Sequence, residues 1–248
     1  MKTRISLLLA AALLAAGSCT KRPVQPRFGI AATDTLVSRN GIACKIEYRF
    51  ASILNAGKSP ALTAIEQANI GYFFDLEAFS GTVREAAAAA IGQFADIYLP
   101  DSLPTGSGNA EYEISAESEG AVVDTLIVYT ITQSSYTGGA HGMYSRENYV
   151  YSLDGGYEIT LITLADLFTE AQLESLGRLI RRKLYEQYDV RDDEGLVAAG
   201  FCPEYIAPTE NFLVTPESIV FCYNPYEIGC YALGSVEVEV TREELAGL

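Results

Sequence analysis

The sequence predicts an α+β fold in which helices pack on one face of a largely antiparallel sheet. Apolar residues recur at helical spacing in two segments before residue 100 and in one segment after residue 169. Short runs rich in β-branched residues, bounded by turn-forming residues, occupy much of the remainder. With 49% hydrophobic residues, the chain has enough apolar material for one globular unit or two small lobes.

The N-terminal elements are predicted to be one strand and two helices. Residues 41–50 are typical of a strand. Two helices are predicted from residues at helical spacing, which are Leu62, Ile65, Asn69 and Tyr72 in one segment and Val83, Ala87, Ala90, Phe94 and Ile97 in the next. The alanine run 86–90 favours a helix, and its small side chains allow close packing on a sheet. Prolines and glycines across 100–108 predict a loop.

The second half is predicted to contain several strands and one long helix. Residues 111–115 alternate strictly, which indicates a strand with one solvated face. A longer strand is predicted over 122–132, and 143–153 is expected to pair back on it as a hairpin. Thr169 and Gln172 have the spacing of a capping box at a helix start. The apolar stripe of this helix comprises Leu173, Leu176, Ile180, Leu184 and Tyr188. Further strands are predicted at 219–223 and 236–240.

The N-terminus has the features of an export signal. Residues 1–4 are basic, 5–16 form an apolar run too short to span a bilayer, and small residues precede Cys19. This arrangement resembles the lipobox of bacterial lipoproteins. We predict a signal peptide at 1–18 and a lipidated Cys19 with a tether at 19–35, which places the chain at the bacterial cell envelope, periplasmic or outer-membrane-associated. The alternative is an ordinary signal peptide cut nearby.

The charge excludes some partner classes. The formal net charge is −15, and it becomes −17 once the two basic residues of the predicted signal peptide are removed. Such a surface repels nucleic acid and anionic lipid, so we predict neither as a partner apart from a membrane contact through the lipid anchor. It would speed encounter with a basic protein or a cation.

Four cysteines remain after Cys19. Cys44, Cys202, Cys222 and Cys230 permit two disulfides in an oxidising compartment, with three possible connectivities. A buried thiol is the alternative for Cys222, which lies in a predicted strand. We predict no metal site and no cofactor, because the chain has no Cys-x-x-Cys pair and a single histidine.

That histidine, His141, lies in the glycine-rich stretch 136–142 (Tyr-Thr-Gly-Gly-Ala-His-Gly). Histidine titrates near neutral pH, so a catalytic base is one interpretation. A hydrolase would also need a nucleophile and an orienting carboxylate within hydrogen-bond reach, and no Gly-x-Ser-x-Gly nucleophile elbow occurs. We therefore interpret His141 as a turn residue between two strands and predict no catalytic residue. A role in a binding surface is a further alternative.

Several motifs in combination resemble one known family. They are 136–142, 153–156 (Leu-Asp-Gly-Gly), 159–161, 164–168, 212–215, 219–221, 223–228 and 231–234. Together they resemble the RsiV-like domain family over residues 112–245, whereas 40–100 more weakly resemble the helical module that often precedes it. This predicts a helical N-terminal module at 36–105 and an RsiV-like domain at 106–248.

The resemblance implies a non-catalytic envelope module that binds or senses a ligand. The best-known members are the ectodomain of the anti-sigma factor RsiV, which binds lysozyme, and the extracellular region ahead of the catalytic domain in PdaC-type peptidoglycan deacetylases. The implied ligand is a basic envelope protein such as a lysozyme-type hydrolase, or a cell-wall glycan. The alternative is a small envelope hydrolase or deacetylase that uses His141. The candidate binding or signature residues are Tyr136, Gly138, Gly139, His141, Gly142, Tyr144, Tyr226 and Tyr231.

Overall fold

The computed structural model describes residues 23–39, 41–99, 110–153 and 160–248. The predicted signal peptide and Cys19 lie outside them. The chain forms two compact units: the first contains Pro26–Ala121 and Tyr129–Asn148, and the second contains Val122–Val128 and Tyr149–Leu248 together with residues 23–25. The division is therefore discontinuous in sequence and differs from the predicted boundary between 105 and 106.

The predicted α+β class is confirmed, with two sheets among the described residues. The first sheet has the order β1 (Phe28–Arg39), β2 (Ile42–Ile53), β3 (Ala110–Val123), β4 (Leu126–Tyr136), β5 (Met143–Ser152) and β6 (Thr160–Leu161). The second has β7 (Phe212–Val214), β8 (Ser218–Tyr223) and β9 (Val236–Thr241). The α-helices are α1 (Pro60–Phe74), α2 (Val83–Tyr98), α3 (Leu164–Leu167), α4 (Glu170–Gln187), α5 (Asp193–Ala198) and α6 (Arg242–Leu245). No helix in this part of the chain is long and apolar enough to cross a membrane.

Strand β1 begins at Phe28, inside the segment 19–35 that the sequence suggested as a tether. It pairs antiparallel with β2 along its whole length, from Phe28 opposite Ile53 to Arg39 opposite Ile42. None of its residues is fully buried, because it is an edge strand with one neighbour. Its backbone pairing, rather than a hydrophobic pattern, defines it as a strand.

One strand pair departs from the antiparallel pattern. Strands β2 and β3 run parallel, with Ile42 opposite Ala110 and Arg49 opposite Glu117. Parallel neighbours need a long crossover connection, and here it contains both α1 and α2. The two predicted helices therefore belong to the connection between adjacent strands of the sheet.

The strand predicted over 122–132 is interrupted. Asp124 adopts a left-handed conformation with φ of 55° and, with the next residue, links β3 to β4. Aspartate tolerates this conformation better than most residues, and a two-residue link joins antiparallel neighbours. The predicted single strand is thus the end of one strand and the start of the next.

The core of the first unit is rich in aromatic rings. The Phe50 ring centroid lies 5.2 Å from that of Phe73, 6.0 Å from that of Phe74 and 6.1 Å from that of Tyr129. Because Phe73 and Phe74 end helix α1, these contacts fix its C-terminal turn on the sheet. Helix α2 begins at a capping box formed by Thr82 and Glu85.

The pairing of β2 with β3 ends at Arg49, and beyond it side chains form hydrogen bonds with the backbone of β2. Ala51 N–H donates to Ser118 Oγ at 2.8 Å, and Tyr129 O–H donates to Ala51 O at 3.0 Å. Glu66 of α1 accepts from Ile53 N–H at 2.7 Å. These buried polar groups therefore extend the hydrogen bonding of the strand beyond its ladder.

The second unit has a separate apolar core in which α4 contributes Leu176, Ile180 and Leu184. The predicted capping box at Thr169 is confirmed, since its side chain accepts from Gln172 N–H. The predicted strands at 219–223 and 236–240 are confirmed as β8 and β9.

No disulfide joins the four described cysteines. Cys44 and Cys222 are buried; the Cys222 thiol donates to Val220 O at 3.8 Å. Burial raises the pKa of the Cys44 thiol to about 11, so this group is a neutral thiol at physiological pH.

Candidate functional site

The glycine-rich stretch 136–142 forms the turn between β4 and β5. Gly138 and Gly139 have φ of 93° and 94°, which only glycine adopts without strain. Tyr136 O–H donates to Gly139 O at 3.2 Å and ties the strand end to the turn. The sequence places two glycines in succession because the backbone turns in the left-handed region at both positions.

His141 lies exposed on this turn. Its Nδ1 is 2.9 Å from the carbonyl oxygen of Gly142, which can only accept, so Nδ1 carries the proton in this contact. The imidazole thus forms a hydrogen bond with the backbone of the adjacent residue.

Gly142 is required for a different reason, the close approach of the two strands. A Cβ at this position would lie 2.7 Å from Ser135 O, a backbone atom that cannot swing away. We expect Gly142→Ala to lower the free energy of unfolding by about 1–3 kcal/mol in urea titrations. Gly92→Ala is the control, because nothing lies within 4 Å of a Cβ there and α2 should gain about 0.5–1 kcal/mol. Equal effects of the two substitutions would contradict this account of Gly142.

A cleft of about 430 Å³ lies beside this turn in the first unit. We call it the aromatic cleft. Its buried lining includes the rings of Tyr48, Phe73, Phe74 and Phe94, and its exposed lining includes Ile97, Tyr98, Met143 and Tyr144. Its volume is within the range of small-molecule sites.

The rings of the cleft are held in place by one another. Tyr98 stacks on Phe94 with centroids 4.9 Å apart and planes 20° apart. Tyr48 meets Phe74 edge to face at 5.3 Å. Burial raises the pKa of the Tyr48 phenol to about 12, so it is neutral at physiological pH. The cleft therefore presents preformed, uncharged aromatic surface.

A second surface of the first unit is formed by alternate residues of β1, β2 and β3 that share one face of the sheet. We call it the acidic face; it comprises Asp34, Lys45, Glu47, Arg49, Glu111, Glu113, Glu117 and Glu119. A depression of about 400 Å³ lies on it, lined by Glu47, Arg49, Ser115, Glu117, Thr132 and Ser134 among others. The strict alternation of residues 111–115 is the sequence pattern that indicated this solvated face.

The two basic residues of the acidic face are already paired. Arg49 contacts Asp34 at 2.7 Å and Lys45 contacts Glu47 at 2.9 Å. Hydrogen bonding to these carboxylates raises the pKa of both cations. The glutamates of β3 are exposed and form no ion pair with any described residue; Glu113 and Glu117 lie opposite Lys45 and Arg49, so those cations offset only part of the negative charge of the face. These four glutamates are Glu111, Glu113, Glu117 and Glu119.

The other two candidate tyrosines lie in the second unit. The ring centroids of Tyr226 and Tyr231 are 5.5 Å apart, and Tyr226 is exposed. Its φ of 74° is rare for a bulky residue. The turn around it is fixed by Glu227, whose carboxylate accepts from Asn224 N–H at 2.9 Å.

The candidate residues are therefore distributed over both units. Tyr136, Gly138, Gly139, His141 and Gly142 form the turn, Tyr144 lines the aromatic cleft, and Tyr226 and Tyr231 form a pair elsewhere. Sequence reasoning did not identify Tyr48, Tyr98 or Gln133 as lining the cleft. The available signal was weak: Tyr98 follows Phe94 by four residues, one helical turn along α2.

Comparisons with known proteins identify a fold and a domain of unknown function. Residues 165–243 match the model of the family DUF3298, described as a protein of unknown function. No curated protein matches the chain.

Two solved structures share the fold over most of the chain. A DUF3298 family member from Bacteroides fragilis has a TM-score of 0.72 and 23% identity, covering 88% of this chain and 92% of its own. A DUF3298 family protein from Pseudomonas aeruginosa has a TM-score of 0.62 and 16% identity, covering 91% and 94%. The chain thus carries a DUF3298 domain match within a fold similar to that of DUF3298 proteins.

Proposed function

We propose that this chain is a lipid-anchored, non-catalytic binding module of the bacterial envelope whose acidic face docks a basic protein. The observation that carries the proposal is the excess of negative charge on the acidic face, where four exposed glutamates of β3 lie beside two cations that already pair with other carboxylates. A lysozyme-type hydrolase is the partner we propose to test first.

Charge supports this partner class. Like charges that alternate along one strand face repel one another, and a basic partner relieves that repulsion on docking. Lys45 already pairs with Glu47 and Arg49 with Asp34. These two cations therefore compete little with the cations of a partner for the remaining carboxylates. The net charge of −15 would steer a cationic protein toward the chain and raise the association rate at low salt.

The motifs at 136–142 and 223–234 support the choice of lysozyme. They resemble the RsiV-like family, in which the anti-sigma factor ectodomain binds lysozyme. The alternative of an envelope hydrolase has less support, since no Gly-x-Ser-x-Gly nucleophile elbow occurs in the sequence. The lipid anchor rests on the small residues before Cys19.

Calorimetric titration of the full chain with a c-type lysozyme tests the proposal. We expect binding at low ionic strength that weakens steeply with added salt, because the contacts are exposed ion pairs. The double substitution Glu113→Gln with Glu117→Gln should weaken binding about tenfold, as two exposed pairs contribute about 1–2 kcal/mol together.

The matched control is Glu237→Gln with Glu239→Gln. These glutamates also alternate on an exposed strand face, on β9 of the other sheet, so net charge changes equally. We expect the control to bind nearly as well as the unmodified chain. An equal loss of lysozyme affinity in both double variants would show that net charge, and not the acidic face, determines binding. Absence of lysozyme binding at low salt would refute the proposal.

A further inference from the structure

We propose that the aromatic cleft binds an uncharged saccharide, a different ligand class from the basic protein proposed for the acidic face. The cleft adjoins the glycine-rich turn through Met143 and Tyr144, yet its chemistry differs sharply from that of the acidic face.

The lining of the cleft is almost free of charged side chains. One of the eighteen lining residues, Asp75, carries a formal charge, in a chain whose residues are 20% charged. A cleft for an anion or a cation would place opposite charges at its walls. The neutral lining therefore matches a ligand without formal charge.

The cleft combines aromatic ring faces with hydrogen-bonding groups. Tyr98 and Tyr144 line the cleft and are 47% and 38% exposed overall, and each combines flat apolar area with a phenol hydroxyl. A sugar ring has the complementary character, with apolar C–H faces and a rim of hydroxyls. A fatty acyl chain would leave the polar lining without partners, which costs binding free energy.

The polar lining supplies these partners. Gln133 donates its amide N–H to Phe73 O at 3.1 Å, which fixes its side chain and leaves its Oε1 as an acceptor. Gln93, Ser135 and Ser145 also line the cleft, and their side chains form no hydrogen bond with other described residues. Amides and hydroxyls of this kind can both donate to and accept from sugar hydroxyls.

The test is titration of the full chain with chitotriose and cellotriose, two uncharged oligosaccharides with and without N-acetyl groups, and with laurate as an apolar probe. Tyrosine fluorescence and calorimetry report binding, since the chain has 16 tyrosines and no tryptophan. We expect at least one saccharide to bind and laurate not to bind. No saccharide binding up to about 10 mM, or binding of laurate alone, would overturn the proposal.

Variants locate the site. We expect Tyr98→Ala to weaken saccharide binding about tenfold. The control is Tyr205→Ala, which removes a 65% exposed tyrosine in the second unit and should leave binding unchanged. Ile97→Arg, at a 70% exposed position, places a cation at the cleft without disturbing the core and should also weaken binding. Saccharide binding that survives both cleft variants would place the site elsewhere and refute the assignment. Neither outcome depends on lysozyme, so the two proposals fail separately.

Discussion

Replacing Phe50 by alanine is expected to lower the free energy of unfolding of the first unit by about 3–5 kcal/mol, the typical cost of removing a buried phenylalanine. Its side chain is fully buried and lies against Phe73, Phe74 and Tyr129. The loss combines the apolar area returned to water with a cavity that its neighbours cannot fill, because they are held by the sheet and by the end of α1.

Urea unfolding followed by circular dichroism measures this loss. Tyr205→Ala is the control, because its exposed ring should contribute within about 0.5 kcal/mol. Phe50→Leu should recover part of the lost stability, since it fills some of the cavity. A loss below about 1 kcal/mol for Phe50→Ala would show that the aromatic cluster can collapse around the gap.

Replacing Glu66 by alanine is expected to cost about 1–3 kcal/mol. The Glu66 carboxylate is almost fully buried and accepts from Ser52 O–H at 2.5 Å and from Ile53 N–H at 2.7 Å. Without it, the buried Ile53 N–H has lost its acceptor. Glu66→Gln keeps a carbonyl for Ile53 and an amide donor for Ser52, so it should cost less at neutral pH.

The stability of Glu66→Gln relative to the unmodified chain is also expected to depend on pH. Burial raises the pKa of Glu66 above its ordinary value of 4.5, although its two hydrogen bonds oppose the shift. Below pH 4.5 the group is protonated in both states; as pH rises toward the raised pKa, the unfolded chain ionises first and stability falls. Glu66→Gln lacks this group, so its stability relative to the unmodified chain should improve over that window.

Melting temperatures of both proteins between about pH 4 and pH 7 measure the difference. Groups such as Glu85 and Asp193, whose pKa values are lowered, have the opposite effect but are common to both proteins and cancel. A constant difference across this range would show that Glu66 ionises as readily in the folded protein as in the unfolded chain.

The strands and helices that could be predicted are those with a strong local pattern. Thr169 and Gln172 specify the start of α4, and the valines of β9 alternate with glutamates as a half-buried strand requires. By contrast, residues 28–35 of β1 were predicted to be part of the tether, because an edge strand buries little and its pattern is faint. The break at Asp124 was also missed, since a two-residue turn leaves little trace between two β-branched runs.

The candidate surfaces were predictable to a lesser degree. The glycines at 138 and 139 predicted a turn. Both have positive φ, a conformation that explains why glycine occupies these positions. The alternation at 111–115 predicted a solvated strand face, but not that Glu47 of β2 and Asp34 of β1 would pair with the two cations on the same face. The aromatic cleft was not predicted, because Tyr48, Tyr98 and Tyr144 are far apart in sequence.

The sequence by itself determined the α+β class, most of the elements and the turn at His141, because each depends on the spacing of neighbouring side chains or on glycine backbone freedom. Tertiary structure alone decided the parallel pairing of β2 with β3, the division into two units, and which side chains share a surface. The reason is physical: local patterns set which face of an element is apolar, whereas the partner of that face depends on long-range packing. The acidic face and the aromatic cleft are products of that packing.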